Sequence, residues 1–178
     1  GSAGVFRLGA VLVGTHAFIT LGNVLGVRWS SGMRTEDIDV LASPVLEVAV
    51  GEVAADLPAT LESLNMGFLP VPGLDSRAPE TSFKVRGKTL RVDLLTPARG
   101  RRGGKPILIP RLKASAQPLE FLDYLLESAV DTPLINGKPT RVKIPDPARF
   151  ALHKLIVSVD RSIATQTKAG KDRQQAAE

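Results

Sequence analysis

Apolar and polar residues along the first half of the chain alternate in short blocks that predict strands and helices in turn. The predicted elements are a strand over residues 8–13, a helix over 16–25, a strand over 35–41 and a helix over 45–64. Gly14-Thr15 separates the first strand from the first helix. In the last of these segments, apolar residues recur three or four positions apart, and Pro58 is expected to break or kink that helix.

The second half carries the signals of two hairpins and two helices. The predicted elements are strands over 82–85 and 88–95, a helix over 118–130, strands over 134–135 and 140–144, and a last helix that begins after Asp146. Arg86-Gly87 and Asn136-Gly137 supply the hairpin turns, and Pro147 suits the first helical position. The expected core face of the last helix is Leu152, Leu155, Ile156, Val159 and Ile163. This order predicts an α+β fold, a small mixed β-sheet flanked by helices.

Composition narrows the class of protein. The chain has 178 residues, 43 % of them apolar, with no Cys, two His and a net charge of +5. A metal site would therefore use carboxylates and a hard cation, and 4 % aromatic residues are too few for a base-stacking platform. No apolar run reaches the roughly 18 residues of a membrane span, so we expect a cytoplasmic protein without membrane contact.

The ends of the chain suggest its origin. Residues 1–4 are typical of a cloning remnant, and the helical composition of the last residues continues without a cap. We expect one domain over residues 5–178, with a core over 5–110 and a hairpin and helices over 111–178, cut from a longer protein.

Three aspartates occupy strand positions, where Asp is uncommon. Asp37 and Asp39 are two apart and point to the same side of their strand, while Asp93 lies inside another predicted strand. Carboxylates so close would repel each other unless a divalent cation lay between them. The alternative is that Thr35 caps a helix holding the first two aspartates and that the third is a surface residue. Three strand aspartates together favour the Mg²⁺ site.

The turn at Gly14-Thr15 is the second chemical signal. A helix that begins there offers free N–H groups to phosphate oxygens, and glycine allows a close approach. The spacing and the lysine of a P-loop are absent. The alternative is that Gly14 serves only as a turn residue between strand and helix, as glycine more often does at such a position.

Together these motifs resemble the polymerase-beta-like nucleotidyltransferase superfamily, which has a Gly-containing turn and a helix, an Asp-x-Asp strand and a third strand carboxylate. More narrowly, the chain resembles one little-characterised bacterial branch of that superfamily. The stretches that carry this likeness are Leu12-Val13-Gly14-Thr15-His16-Ala17-Phe18, Arg34-Thr35-Glu36-Asp37-Ile38-Asp39, Pro118-Leu119-Glu120-Phe121-Leu122-Asp123-Tyr124-Leu125-Leu126 and Pro145-Asp146-Pro147-Ala148-Arg149-Phe150-Ala151-Leu152-His153-Lys154-Leu155.

The resemblance implies that three carboxylates bind Mg²⁺ or Mn²⁺ and carry the catalysis: Asp37, Asp39 and Asp93. It implies a nucleoside triphosphate (NTP) bound against Gly14 and Thr15, where many relatives have Gly-Ser or Gly-Gly. Phosphate-binding positions of relatives match Lys154, Lys171 and Asp172 more loosely.

Several other polar residues are weaker candidates. His16, Arg28 and Arg34 are candidates for a contact with the nucleotide or the acceptor. The alternative is that these side chains only pack against the protein or face solvent. His153 is expected to be buried and hydrogen-bonded. Two charged groups could face phosphates or merely solvent: Lys154 with Arg161 on one helix face, and the loop residues Arg99, Arg101, Arg102 and Lys105.

The sequence thus predicts a metal-dependent nucleotidyltransferase that moves a nucleoside monophosphate (NMP) from an NTP to a hydroxyl of RNA (such as tRNA), a protein or a small molecule. One alternative is a nucleotide- or RNA-binding module without turnover. The other is a partner-binding component of a toxin–antitoxin or defence pair, in which a second chain or a missing flanking domain takes part.

Overall fold

A mixed sheet, a separate hairpin and five α-helices make up the described part of the protein. The computed structural model describes residues 4–29, 35–44, 55–73, 77–98, 104–136, 138–160 and 166–178. The strands are β1 Val11–Val13, β2 Asp37–Leu41, β3 Phe68–Pro70, β4 Ser82–Val85, β5 Arg91–Pro97, β6 Ile107–Ile109, β7 Ala114–Leu119, β8 Val130–Asn136 and β9 Lys138–Ile144. The helices are α1 Gly14–Leu25, α2 Leu57–Ser63, α3 Asp123–Leu126, α4 Pro147–Asp160 and α5 Gln166–Ala177, with a 3₁₀ turn at Pro110–Leu112.

The main sheet has β5 at its centre. Its principal strand order is β1-β2-β5-β4-β3, and β7 adds to β5 and carries β6 on its other edge. β5 runs parallel to β2 and β7 and antiparallel to β4, while β1 runs antiparallel to β2. β8 and β9 form an antiparallel hairpin of their own. The predicted α+β class, a mixed sheet flanked by helices, is confirmed.

Apolar side chains on the two faces of the sheet make separate core clusters. Val40, Val92 and Leu94 face one cluster, to which Leu57 and Leu61 of α2 contribute. On the other face, the cluster contains Val11, Val13, Leu41, Leu122 and Leu125. Because residues alternate between faces, Asp37 and Asp39 lie on the same face as Leu41, at the end of the strand where that second cluster stops.

The structure confirms the helix after Gly14, the second strand and both hairpins. In the second hairpin, β8 and β9 extend well beyond the predicted residues, and Gly137 lies outside the described residues. The helix predicted after Asp146 is α4, which begins at Pro147. The Asp146 carboxylate accepts a hydrogen bond from the Arg149 backbone N–H at 3.1 Å, as an N-cap does.

Two predicted elements are corrected. The helix over residues 118–130 is wrong: the chain forms strand β7 up to Leu119 and only a short helix, α3, because β7 pairs with β5 and β6 on its two edges. Sheet pairing here overrides local helical spacing. The predicted helix over 45–64 has no kink at Pro58: α2 begins at Leu57 with Asp56 as its cap, and Pro58 lies in the first turn, where proline is tolerated. Residues 45–54 lie outside the described residues.

The core face predicted for α4 is also wrong. Leu152, Leu155, Ile156 and Val159 are between 41 % and 87 % exposed, whereas Phe150, His153 and Ser158 are buried. On the inward face of the helix, Phe150 packs in an apolar cluster with Phe18 and Leu21, and Lys154 pairs with Asp172 of α5. Ile163 lies outside the described residues.

His153 is buried, as expected, and burial, with the nearby Lys154, lowers its pKa to about 4. The expected hydrogen bond is missing at one ring nitrogen, since Nε2 has no partner in the described part of the chain.

Candidate active site

The junction between β1 and α1 brings a helix N-terminus against a carboxylate. Val13 precedes α1 in an extended conformation, and no side chain caps the helix. Gly14 has φ of 65° (a left-handed conformation), and a Cβ atom there would lie 2.0 Å from Oδ2 of Asp39. Only glycine leaves room for the Asp39 carboxylate at this point. The first-turn N–H groups that α1 cannot satisfy internally therefore begin next to that carboxylate.

The three strand aspartates lie on the neighbouring strands β2 and β5. Asp39 lies directly opposite Asp93 in the parallel register, and Asp37 is opposite Arg91. Burial first, and then the negative charges of Asp93 and Asp37, raise the pKa of Asp39 to about 6 against the opposing effect of Lys154 and Lys168. The strand of Asp93 is thus the direct neighbour of the strand of Asp39.

Replacing Asp39 by Asn is expected to stabilise the metal-free protein at alkaline pH. A carboxyl group whose pKa is raised on folding weakens the fold once the pH passes that pKa. The gain should be absent below pH ~4, grow up to pH ~6 and reach about 3 kcal/mol above it, at about 1.4 kcal/mol per pKa unit. Urea unfolding in EDTA across this pH range measures the difference between the two proteins.

Asp131→Asn is the matched control for that comparison. Arg141 and Lys143 lower the pKa of Asp131, so its replacement should reduce stability above the normal carboxyl pKa, the opposite sign. A pH-independent gain in Asp39→Asn would contradict the raised pKa of Asp39.

Basic side chains from α4 and α5 face the carboxylates. The Lys154 ammonium lies 2.9 Å from Oδ1 of Asp172, and both side chains are largely buried. Lys154 also lies over the Phe150 ring, 5.4 Å from its centroid. Lys154 and Lys168 both lower the pKa of Asp39, and Lys171 lowers that of His16. The site therefore has an acidic wall on the sheet, formed by Asp37, Asp39 and Asp93. Opposite it, Lys154 of α4 with Lys168 and Lys171 of α5 forms a basic wall.

The first turn of α1 presents two further polar side chains. Thr15 is buried, and its Oγ1 accepts a hydrogen bond from Nε2 of Gln175 at 3.5 Å. Burial lowers the pKa of His16, with Asp37 raising it and Lys171 lowering it, so the ring is neutral near pH 7. Its Nε2 is buried and has no hydrogen-bond partner among the described residues.

The donors suit a hard divalent cation. Asp37, Asp39 and Asp93 offer carboxylate oxygens of the type that Mg²⁺ and Mn²⁺ prefer, and their mutual repulsion would fall on cation binding. As these side chains stand, no group of three or more His, Asp or Glu within the described ranges forms a metal-binding cluster.

The structure does not bring every predicted residue to this place. Arg28 follows the C-terminal end of α1, about 18 Å along the helix from Gly14 at 1.5 Å per residue. Lys105 is exposed before β6. The remaining candidates lie outside the described residues: Arg34, Arg99, Arg101, Arg102 and Arg161.

Two site residues escaped the sequence analysis, Lys168 and Gln175. Helical spacing could have identified them. Together with Lys171 and Asp172 they lie three or four positions apart, on the face of α5 that contacts α4 and α1.

Comparison with known proteins gives the class. A family model described as nucleotidyltransferase matches residues 1–178, so the chain belongs to this nucleotidyltransferase family. The resemblance drawn from the motifs is thereby confirmed.

Among solved structures, the chain is similar to an antigenic nucleotidyltransferase-like protein from Paracoccidioides brasiliensis, at 17 % sequence identity and a TM-score of 0.47. The match covers 94 % of this chain and 66 % of the other. No curated protein matches the chain. Within its described ranges, none of the helices combines the length and the apolar character that crossing a membrane requires.

Proposed function

We propose that the protein transfers an NMP from an NTP to a hydroxyl group and releases pyrophosphate. A bond forms between the acceptor oxygen and the α-phosphorus, and the bond from that phosphorus to the oxygen bridging to the β-phosphate breaks. The hydroxyl proton passes to a carboxylate. Family membership supports the transferase class; the metal, the nucleotide and the acceptor belong to this proposal.

The observation that supports the proposal is the uncapped N-terminus of α1 beside Asp39, which lies opposite Asp93 and shares its face of β2 with Asp37. Gly14 lets the Asp39 carboxylate and the first N–H groups of α1 face the same point. A triphosphate with a divalent cation complements both, since N–H groups bind phosphate oxygens and the cation joins phosphate to carboxylate.

Each part of the site then has a task. Asp37 and Asp39, with Asp93, would hold Mg²⁺ or Mn²⁺, which neutralises charge on the phosphates and the leaving pyrophosphate. Asp93 accepts the proton of the acceptor hydroxyl. Gly14 and Thr15 bind phosphate oxygens through α1, and Lys154 and Lys171 complete the basic wall. Asp172 orients Lys154 through their 2.9 Å ion pair. Most of the rate enhancement would come from positioning and charge stabilisation.

Thermal unfolding with each of the four NTPs and Mg²⁺ or Mn²⁺ tests the nucleotide site without knowledge of the acceptor. A ligand at about 100 times its dissociation constant adds roughly 2.7 kcal/mol of stability. For a chain of this size we expect a rise in Tm of about 5–10 °C with the preferred NTP. The rise should require the metal and should be lost in Asp39→Ala.

Asp131→Asn, which removes an exposed carboxylate on the β8–β9 hairpin, should keep the full rise. A rise that Asp39→Ala retains, or no rise in the wild type with any NTP, would contradict this nucleotide site.

A further inference from the structure

The row of residues across the sheet that holds Asp39 and Asp93 has a neighbouring row that carries basic side chains. In register with Asp39 and Asp93, the next residue across the sheet is Ser82 of β4. Two residues earlier along β2 and β5, the corresponding row reads Asp37, Arg91 and Lys84. Because alternate residues share a face, Arg91 and Lys84 lie on the same side of the sheet as Asp93.

These two basic residues have no acidic partner in the described part of the chain. Arg91 and Lys84 are partly exposed, while Val92, Phe83 and Val85 between and beside them are buried. Neither basic side chain makes an ion pair or a side-chain hydrogen bond there. Asp37 is the neighbour of Arg91 across the strands, but no carboxylate of the described residues is in ion-pair contact with either cation, so both can bind an anionic ligand.

An open cavity of about 560 Å³ adjoins this pair. It is lined by Lys84, Lys88, Gly87, Thr89 and Glu36. The Glu36 carboxylate accepts a hydrogen bond from the Thr89 hydroxyl, and the two lysines, Lys84 and Lys88, outnumber this one acidic residue in the lining. The basic face thus extends from Arg91 to the turn after β4.

The distances along and across the strands place Arg91 and Lys84 close to Asp93, the proposed proton acceptor. Arg91 is two strand residues from Asp93, about 6.6 Å at 3.3 Å per residue, and Lys84 is one strand further across, about 4.8 Å. On the opposite side of the carboxylates lies α1, the phosphate-binding side of the proposed site. An acceptor hydroxyl at Asp93 would therefore place a neighbouring group of the same molecule over Arg91 and Lys84.

We propose that Arg91 and Lys84 form an acceptor subsite that binds a phosphate group one short link from the reacting hydroxyl. This inference rests on the proposed nucleotidyl transfer and names the class of its acceptor, a phosphate-bearing molecule. The two sources of that chemistry are a polynucleotide end, whose last phosphodiester lies next to its terminal hydroxyls, and a small sugar phosphate. The buried Oγ of Ser82, without a partner among the described residues, lies next to Asp93 in the same row.

The test measures binding of a short fluorescein-labelled oligoribonucleotide by anisotropy, in EDTA and without NTP, at increasing salt. Each single-strand phosphate contact contributes about 0.7 to the slope of log K against log salt. The double variant Arg91→Gln/Lys84→Gln should therefore bind more weakly and lose about 1.4 of that slope. Arg7→Gln/Arg141→Gln removes the same charge from the turn before β1 and from the β8–β9 hairpin, and should keep the slope.

A second arm measures the Tm of the wild type and both double variants with ribose 5-phosphate. Loss of oligoribonucleotide binding in the Arg91/Lys84 variant assigns the subsite to a polynucleotide. Loss of only the ribose 5-phosphate effect assigns it to a small sugar phosphate. If neither ligand binds the wild type, or if the variant binds both equally well, the subsite is refuted.

The NTP-dependent rise in Tm separates this outcome from failure of the proposed function. The Arg91/Lys84 variant should keep that rise, because the triphosphate lies on the α1 side. A variant that loses the NTP effect would instead show that these residues belong to the nucleotide site. That result would refute the acceptor subsite but not the proposed nucleotidyl transfer.

Discussion

Asp93→Asn should abolish NMP transfer while leaving NTP binding largely intact. Asp93 lies opposite Asp39 and next to the basic acceptor face, so it is the carboxylate best placed to receive the hydroxyl proton. Loss of a general base alone costs about 10²–10⁴-fold in rate. Because the same change removes a cation ligand, we expect a fall of at least about 10³-fold in label transferred from α-³²P-NTP.

Two comparisons make this result specific. The NTP-dependent rise in Tm should survive in Asp93→Asn, since Gly14, Thr15 and the lysines remain, and Asp131→Asn should transfer label at the wild-type rate. Undiminished transfer by Asp93→Asn would remove this residue from the reaction. If the wild type binds NTP with metal and transfers nothing to any acceptor, the protein is the nucleotide-binding module.

Gly14→Ala should remove NTP binding and lower stability. The new Cβ would meet Oδ2 of Asp39 at 2.0 Å, so the carboxylate or the helix must move. The left-handed φ of 65° adds a backbone cost of about 1–2 kcal/mol for a residue other than glycine. We expect a loss of stability well above that backbone cost and no NTP-dependent rise in Tm.

Gly26→Ala is the matched control, because Gly26 has nearly the same φ, 69°, and nothing lies within 4 Å of its Cβ position. It should show the backbone cost alone and keep the NTP effect. Equal behaviour of the two variants, measured by urea unfolding and by NTP titration, would mean that the contact with Asp39 has no role in the nucleotide site.

The short-range patterns of the sequence located most of the acidic wall. A period of two residues put Asp37 and Asp39 on one face, and the turn at Gly14 marked the start of α1. The pairing of β2 with β5, which places Asp93 opposite Asp39, comes from the sheet topology and not from a local pattern. The contact between Gly14 and Asp39 depends on how β1 and β2 pair, and no local pattern encodes it.

The basic wall was harder to predict because it depends on packing between distant helices. The apolar stripe of α4 suggested a core face, yet the helix buries Phe150 against α1 and Lys154 against Asp172 of α5, and the stripe is exposed. Residues 118–119 continue strand β7, since they pair with residues 96–97 of β5, which satisfies backbone groups that a helix would otherwise satisfy. In both cases the deciding contacts are far apart in sequence.

The central claim is that the α-phosphoryl group and its nucleoside move to an acceptor hydroxyl. Parallel reactions with α-³²P-NTP and γ-³²P-NTP, with Mg²⁺ and an RNA preparation, a protein preparation or ribose 5-phosphate as acceptor, measure which phosphate is transferred. The proposed mechanism predicts α-label in the acceptor and γ-label in released pyrophosphate, both lost in Asp93→Asn. Transfer of the γ-label to the acceptor would contradict it and would make the protein a phosphotransferase.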